Sequence, residues 1–359
     1  MAPLKVEPTS IPLSLASCSI GLPKHTLHQK LEAISQSGFK GIELSFPDLL
    51  LHAKELQSLQ QLPQGEIKEN DWPTLCKAAE HVRHLCETHG VQVIVLQPFS
   101  NFEGWADESE RKAVFDKAKG WVQIMKASGT DMLQVGSTDT PSHKITSDKE
   151  KLAADLAELA DILAQDGFKI AYENWCWATH APTWKDVWEI VKLVDRKNVG
   201  LCLDTFQSAG GEWADPTTKS GLVEDLSETA LETSWKKSLR ELGSSVPAEK
   251  VFFLQISDAY RVTPPLAPHP EPNNDSGLRP RGRWSHDYRP LPYDGGYLSK
   301  QCAEFARAVL DTGFRGWFSV EVFDGEFEKK YGDDLMRFAE TARDHTRKLV
   351  EDASSIESL

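Results

Sequence analysis

A closed (β/α)8 barrel is the fold this sequence predicts, on three observations. Eight short apolar runs of strand length recur along the chain, and stretches with apolar residues at helical spacing separate them. Near-continuous apolar strands alternating with helices imply a parallel sheet covered on its outer face. No dinucleotide-binding glycine loop follows the first run, where Cys18-Ser19-Ile20-Gly21-Leu22-Pro23 stands, so the open doubly wound sheet is disfavoured.

The runs, in order, are IPLSLASC, GIELSF, VQVIVLQPF, MLQVGS, KIAYENW, VGLCLDTF, VFFLQISD and WFSVEVF. Helical spacing marks residues at about 25–37, 72–89, 108–127, 147–165, 183–194, 226–242, 299–312 and 333–351. Ser147 and Thr183 stand where N-caps belong. Gly38, Gly90, Gly129, Gly167 and Gly313 follow helices, where a left-handed residue ends the last turn.

Three stretches depart from the repeat. Residues 47–71 are polar, with weak helical periodicity in their first half, and 207–221 carry Gly210-Gly211 and Asp215-Pro216 as turn signals. Residues 259–298, between strand seven and helix seven, are rich in Pro, Gly, Asn and Arg. An insertion of this length on the C-terminal side of a barrel strand is expected to be a lid. Arg279, Arg281, Arg283 and Arg289 make it the most basic part of an acidic chain, suited to a substrate carboxylate or phosphate. The whole of 1–359 reads as one domain, with a tail at about 352–359.

Composition narrows the function. Hydrophobic content of 40% and charged content of 26% are those of a globular protein, and no apolar stretch has the roughly 18 residues a membrane span needs. MAPLKVEPTS lacks a secretory pattern, so a cytoplasmic protein is expected. Cys18, Cys76, Cys86, Cys176, Cys202 and Cys302 form no CxxC pair, which argues against a zinc knuckle or disulfide framework. A formal charge of -14 disfavours a surface that neutralises many phosphates, so no nucleic-acid partner is expected.

Four polar residues close four of the apolar runs: Glu173, Asp204, Gln255 and Glu321. A carboxylate or amide at the end of a core strand needs a cation or a partner. Oxygen donors of this kind suit one hard divalent ion, Mg²⁺ or Mn²⁺. In a (β/α)8 barrel the strand C-termini are also where active sites lie, so these four are expected to converge there as metal ligands.

With those residues, the segments VLQPFSNFEG (95–104), YENWCWATHAPTWKDVWEIV (172–191), GLCLDTFQSAGGEWADPTTKSG (200–221) and FFLQISDA (252–259) resemble the sugar isomerase/epimerase-like (xylose isomerase-like) TIM barrels. Within them the similarity is to the 3-dehydroshikimate dehydratases of quinate utilisation. It spans most of the chain, while 259–298 matches poorly. The resemblance implies Glu173, Asp204, Gln255 and Glu321 as ligands of one divalent metal. It also implies a hydro-lyase that converts 3-dehydroshikimate to protocatechuate by α-proton abstraction and β-hydroxyl loss, with the cation stabilising the enolate.

Many bacterial relatives carry His three residues after the metal-binding Asp, whereas this chain has Asp204-Thr205-Phe206-Gln207. Gln does not shuttle protons at neutral pH. His180 and Glu43 are the alternative acid-base candidates, and Gln207 is left to orient substrate. Arg289 and Arg261 are candidate clamps for the substrate carboxylate, and Trp175, Trp177 and Phe99 a candidate wall against its ring. The expected partner is a small polyhydroxy carboxylate.

Two other enzyme classes share this architecture. A sugar or cyclitol isomerase or epimerase would use the same metal to hold an enediolate, and abasic-site endonucleases use several His ligands at strand ends, where this chain has only acids and amides. A catalytically altered, metal-free paralogue is a further alternative.

Overall fold

A computed structural model describes residues 6–268 and 277–357; positions 269–276 of the expected lid and 358–359 of the expected tail lie outside the described residues. Eight strands close into a barrel in the order β1 (Leu13–Ala16), β2 (Gly41–Ser45), β3 (Gln92–Phe99), β4 (Met132–Gly136), β5 (Lys169–Glu173), β6 (Val199–Asp204), β7 (Val251–Ile256) and β9 (Trp317–Val320). Every neighbouring pair is parallel, and β9 pairs with β1 to complete the circle. Closure removes sheet edges and brings all eight strand C-termini to one rim.

The crossover helices lie where the spacing places them. They are α1 (Leu27–Gln36), α3 (Trp72–His89), α4 (Glu108–Ser128), α5 (Lys149–Ala164), α6 (Trp184–Val194), α8 (Glu228–Ser245), α10 (Ser299–Asp311) and α12 (Leu335–Ser355). Thr183 caps α6 in a reciprocal capping box with Asp186, but α5 is capped by Asp148 rather than Ser147. Gly38, Gly90, Gly129, Gly167 and Gly313 all have positive φ. The final helix reaches Ser355, so it takes up the first part of the expected tail.

The polar stretches hold more structure than their composition implies. Phe46–Ser58 forms α2, and Thr205–Glu212 forms α7 directly after β6, where turn signals predict a loop. Gly210 sits in that helix because Trp284 packs against it; a Cβ there would stand 3.1 Å from the indole. Inside the insertion, Pro280–Asp287 forms α9 and Tyr288–Arg289 forms β8, which pairs antiparallel with β10 (Phe323–Asp324) just beyond β9. α11 (Phe327–Tyr331) follows.

The main core lies between barrel and helices, and a smaller one, Ile94, Val95, Met132, Ala171, Cys202 and Phe253, is drawn from five neighbouring strands. The polar strand ends stand above this apolar packing.

Candidate metal centre and active site

Asp204 ends β6 and caps α7. Its Oδ1 accepts from the backbone N–H of Phe206 (2.6 Å) and Gln207 (3.2 Å), so the strand-to-helix junction fixes the carboxylate before any ligand arrives. Glu173 ends β5; its Oε2 accepts from Trp175 Nε1 (3.0 Å) and from the Gln134 amide. Glu321 follows β9, and its Oε1 accepts from Gln97 Nε2 (3.1 Å). One carboxylate oxygen from each of the three lies within 4.8 Å of the others.

Gln255, in β7 opposite Asp204 in register, is fully buried beside this group. Its Nε2 donates to Glu43 Oε2 (2.8 Å), and the Ser319 hydroxyl donates to the other oxygen of Glu43. Glu43 therefore forms a floor beneath the three carboxylates rather than facing the cavity above them.

The cation among them is Arg289, from β8 of the insertion. Its Nη2 lies 2.6 Å from Asp204 Oδ2 and 3.1 Å from Glu321 Oε2, and Ser257 and Ser285 accept further N–H groups. Burial pushes Glu173 well above the usual carboxylate range, helped by the charge of Glu321. Burial raises Asp204 too, against the opposing pull of Arg289. Burial likewise lifts Glu321 to about 7. One guanidinium balances one of three carboxylates, and Glu173 Oε1 is buried with no hydrogen-bond partner. An all-oxygen set carrying excess negative charge and an orphaned oxygen fits a hard divalent cation.

Above the carboxylates opens a cavity of about 320 Å³, lined by Glu173, Glu321 and Arg289. Trp175 and Trp177 form one wall, stacked at 5.1 Å between ring centroids. Gly136 makes room for that wall, since a Cβ there would overlap the Trp175 indole. Gln207 also lines the cavity, its Oε1 accepting from Cys176 N–H at 2.9 Å.

Other expected residues are not brought there. Phe99 is fully buried against Phe102 and Trp121, because the side chain at the end of β3 turns outward into the helix layer. Arg261 donates to the Lys219 carbonyl and lines a separate surface groove. His180 lies outside the cavity lining, its Nε2 buried without a partner. Arg279 and Arg281 clasp backbone carbonyls of Trp177 and Gly210 and so hold the insertion down, Arg283 donates to the Ala267 carbonyl within the insertion, and none of the three lines the cavity.

Sequence reasoning missed Gln97, Gln134, Asn101, Asp139, His286 and Phe323, which line the cavity. Gln97 and Gln134 were detectable, since each interrupts an apolar run as Gln255 does. His286 had no such signal within a polar insertion.

A family model for the xylose isomerase-like TIM barrel matches residues 31–346. The chain belongs to that family. Among curated members, a 3-dehydroshikimate dehydratase of Neurospora crassa is 35% identical over 87% of this chain and 84% of its own length. One of the same name from Pseudomonas aeruginosa is 29% identical over 84% of this chain but only 37% of its own length. Among solved members of this barrel family, a xylose isomerase-like TIM barrel/4-hydroxyphenylpyruvate dioxygenase fusion protein superposes with a TM-score of 0.68 at 25% identity, covering 97% of this chain and 45% of that one. A structure described as the IOLI protein with a binding zinc atom gives 0.66 at 21% identity over 96% and 100%. Among the described residues, no helix is long and apolar enough to cross a membrane.

Proposed function

We propose that this protein is a metal-dependent hydro-lyase that converts 3-dehydroshikimate to protocatechuate. The observation that carries the reading is the convergence of Glu173, Asp204 and Glu321 at the barrel mouth. It occurs in a chain whose Neurospora crassa relative bears the name of that activity over most of both lengths. The three carboxylates, with the Gln255 carbonyl, are the ligand set, and oxygen donors alone favour Mg²⁺ or Mn²⁺. When bound, the ion supplies Lewis-acid charge that acidifies the carbon beside the substrate ketone.

The chain's own residues do the rest. Trp175 and Trp177 offer a flat apolar face to a six-membered ring. Gln97, Gln134 and Asn101 bring amide groups to the rim that suit ring hydroxyls. Arg289 is the cationic residue among the described cavity-lining residues, so it carries the attraction for a carboxylated substrate as well as holding Asp204 and Glu321. Gln207, fixed by the Cys176 N–H, orients substrate through its amide and takes no proton.

The test is incubation of the full chain, loaded with Mn²⁺, with 3-dehydroshikimate while the ultraviolet absorbance of protocatechuate is followed. Product that disappears on chelation and returns with metal supports the reading. No product, or turnover indifferent to chelator, overturns it. Epimerised or isomerised ketose instead of an aromatic product would establish the isomerase alternative.

A further inference from the structure

Removing a proton from the carbon beside the ketone needs a base in the cavity, and the expected ones are not there. Glu43 is closed off beneath Gln255 and Ser319, His180 does not line the cavity, and Gln207 has no basic nitrogen. Apart from Glu173, Glu321 and Arg289, the titratable groups among the described lining residues are Asp139 and His286. Asp139 has one oxygen occupied by Trp177 Nε1 at 3.1 Å.

His286 is arranged differently. It sits on α9 of the insertion, and its Nδ1 lies 2.7 Å from the carbonyl oxygen of Gly282 one turn earlier. A carbonyl only accepts, so Nδ1 carries the hydrogen. In the neutral ring the lone pair is then on Nε2. The ring is held on two sides: it stacks on Phe323 at 6.3 Å and 28°, and meets Trp177 edge-on at 6.3 Å. Phe323 follows Glu321 by two residues, and Trp177 stacks on Trp175, whose indole N–H binds Glu173. These contacts tie the imidazole to both sides of the carboxylate cluster, and His286 lines the cavity while remaining exposed to solvent.

We infer that His286 is the proton-transferring catalytic residue of this site, an inference that rests on the dehydratase reading above. Nε2 takes the proton from the carbon next to the ketone, and the C–H electron pair enters the enolate. That pair then forms the ring double bond as the β C–O bond breaks, and the imidazolium returns its proton to the departing hydroxyl, which leaves as water. A ring CH₂ proton moving to the ketone oxygen completes aromatisation without changing composition. The general base thus comes from the insertion, not from the segment after Asp204.

The experiment compares wild type, His286→Ala, His286→Gln and Asp139→Asn, each as the full Mn²⁺-loaded chain, with bound manganese measured alongside turnover. The expected result for both His286 variants is a kcat about 10²–10⁴-fold lower, as for loss of a general base. Manganese content should stay unchanged, and added imidazole should partly restore His286→Ala while leaving His286→Gln unaffected. A kcat within about tenfold of wild type in both variants, below the usual range for a general base, would overturn the inference. So would loss of manganese that accounts for the deficit, absence of imidazole rescue, or a deficit of this size in Asp139→Asn alone. Wild type inactive on 3-dehydroshikimate would be a different failure, removing the dehydratase reading and this inference with it.

Discussion

Arg289 Nη2 stands 2.6 Å from Asp204 Oδ2, with both side chains fully buried. A guanidinium from the insertion therefore rests on a carboxylate of the barrel, at the group that fits a metal ion. The same Nη2 also donates to the main-chain carbonyl of Glu321 at 3.1 Å, so one side chain spans the ends of two strands.

Replacing this cation should expose what it balances. Arg289→Met is expected to lose turnover and to destabilise the metal-free chain by about 3–5 kcal/mol, the usual cost of leaving a buried charge unpaired. Added Mn²⁺ should recover part of that loss by taking over the balancing charge. Thermal unfolding with chelator and with Mn²⁺ reads both effects, and equal stability of the variant and wild type in chelator would contradict the role.

The carboxylates behave in the opposite sense. Glu173→Gln replaces a buried carboxyl group whose Oε1 has no partner and whose neutral form burial already favours, so the metal-free chain should be at least as stable as wild type while activity and metal binding fall sharply. Asp204→Asn and Glu321→Gln should also abolish turnover, with folding retained. Undiminished activity in any one of the three would remove that residue from the ligand set.

Metal affinity should depend on pH with a definite sign. Burial raises Glu321 from 4.5 to about 7, and Glu173 and Asp204 are raised as well. Between pH 4.5 and about 7 the folded metal-free chain holds protons that the unfolded chain releases, so this cluster favours folding most at the acid end and loses that contribution as pH rises. An ion displaces those protons, so its affinity should climb over the same interval. Calorimetric titration of Mn²⁺ in two buffers of different ionisation enthalpy measures the protons released; none released at pH 6 would contradict the raised values.

A latch at the edge of the insertion offers an independent handle. Lys330 Nζ lies 2.8 Å from Asp294 Oδ2 and 3.0 Å from Asp324 Oδ2, and it also meets the Tyr260 hydroxyl. It thus ties both ends of the insertion to the strand that pairs with Tyr288–Arg289. Lys330→Met should raise KM more than it lowers kcat and should hasten proteolysis within 260–298. Unchanged KM and cleavage would show that the insertion holds its place without this residue.

The barrel was legible because its signals are local. Apolar runs, helical spacing and the five glycines at helix ends each follow from backbone geometry within a few residues. Glu173, Asp204, Gln255 and Glu321 stood out because a polar group at the end of a buried strand needs a reason. Phe99 shows the limit of that rule, since periodicity alone does not say which side of a barrel a strand's last aromatic will face. The insertion was opaque for another reason. Its helix is held by Arg279 and Arg281 gripping carbonyls distant in sequence, and Trp284 fits against Gly210. No local pattern announces such contacts, so neither α9 nor His286 was readable.

The antiparallel pairing of Tyr288–Arg289 with Phe323–Asp324 divides the pocket into a floor and a roof of different origin. The floor consists of strand termini that cannot shift without disturbing the closed sheet. The roof arrives on a separate length of chain joined to the rim by two short strands. Exchange of residues in that length can redefine which ring is admitted while the oxygen atoms below keep their places, so one barrel can serve several acidic substrates by changing only its cover.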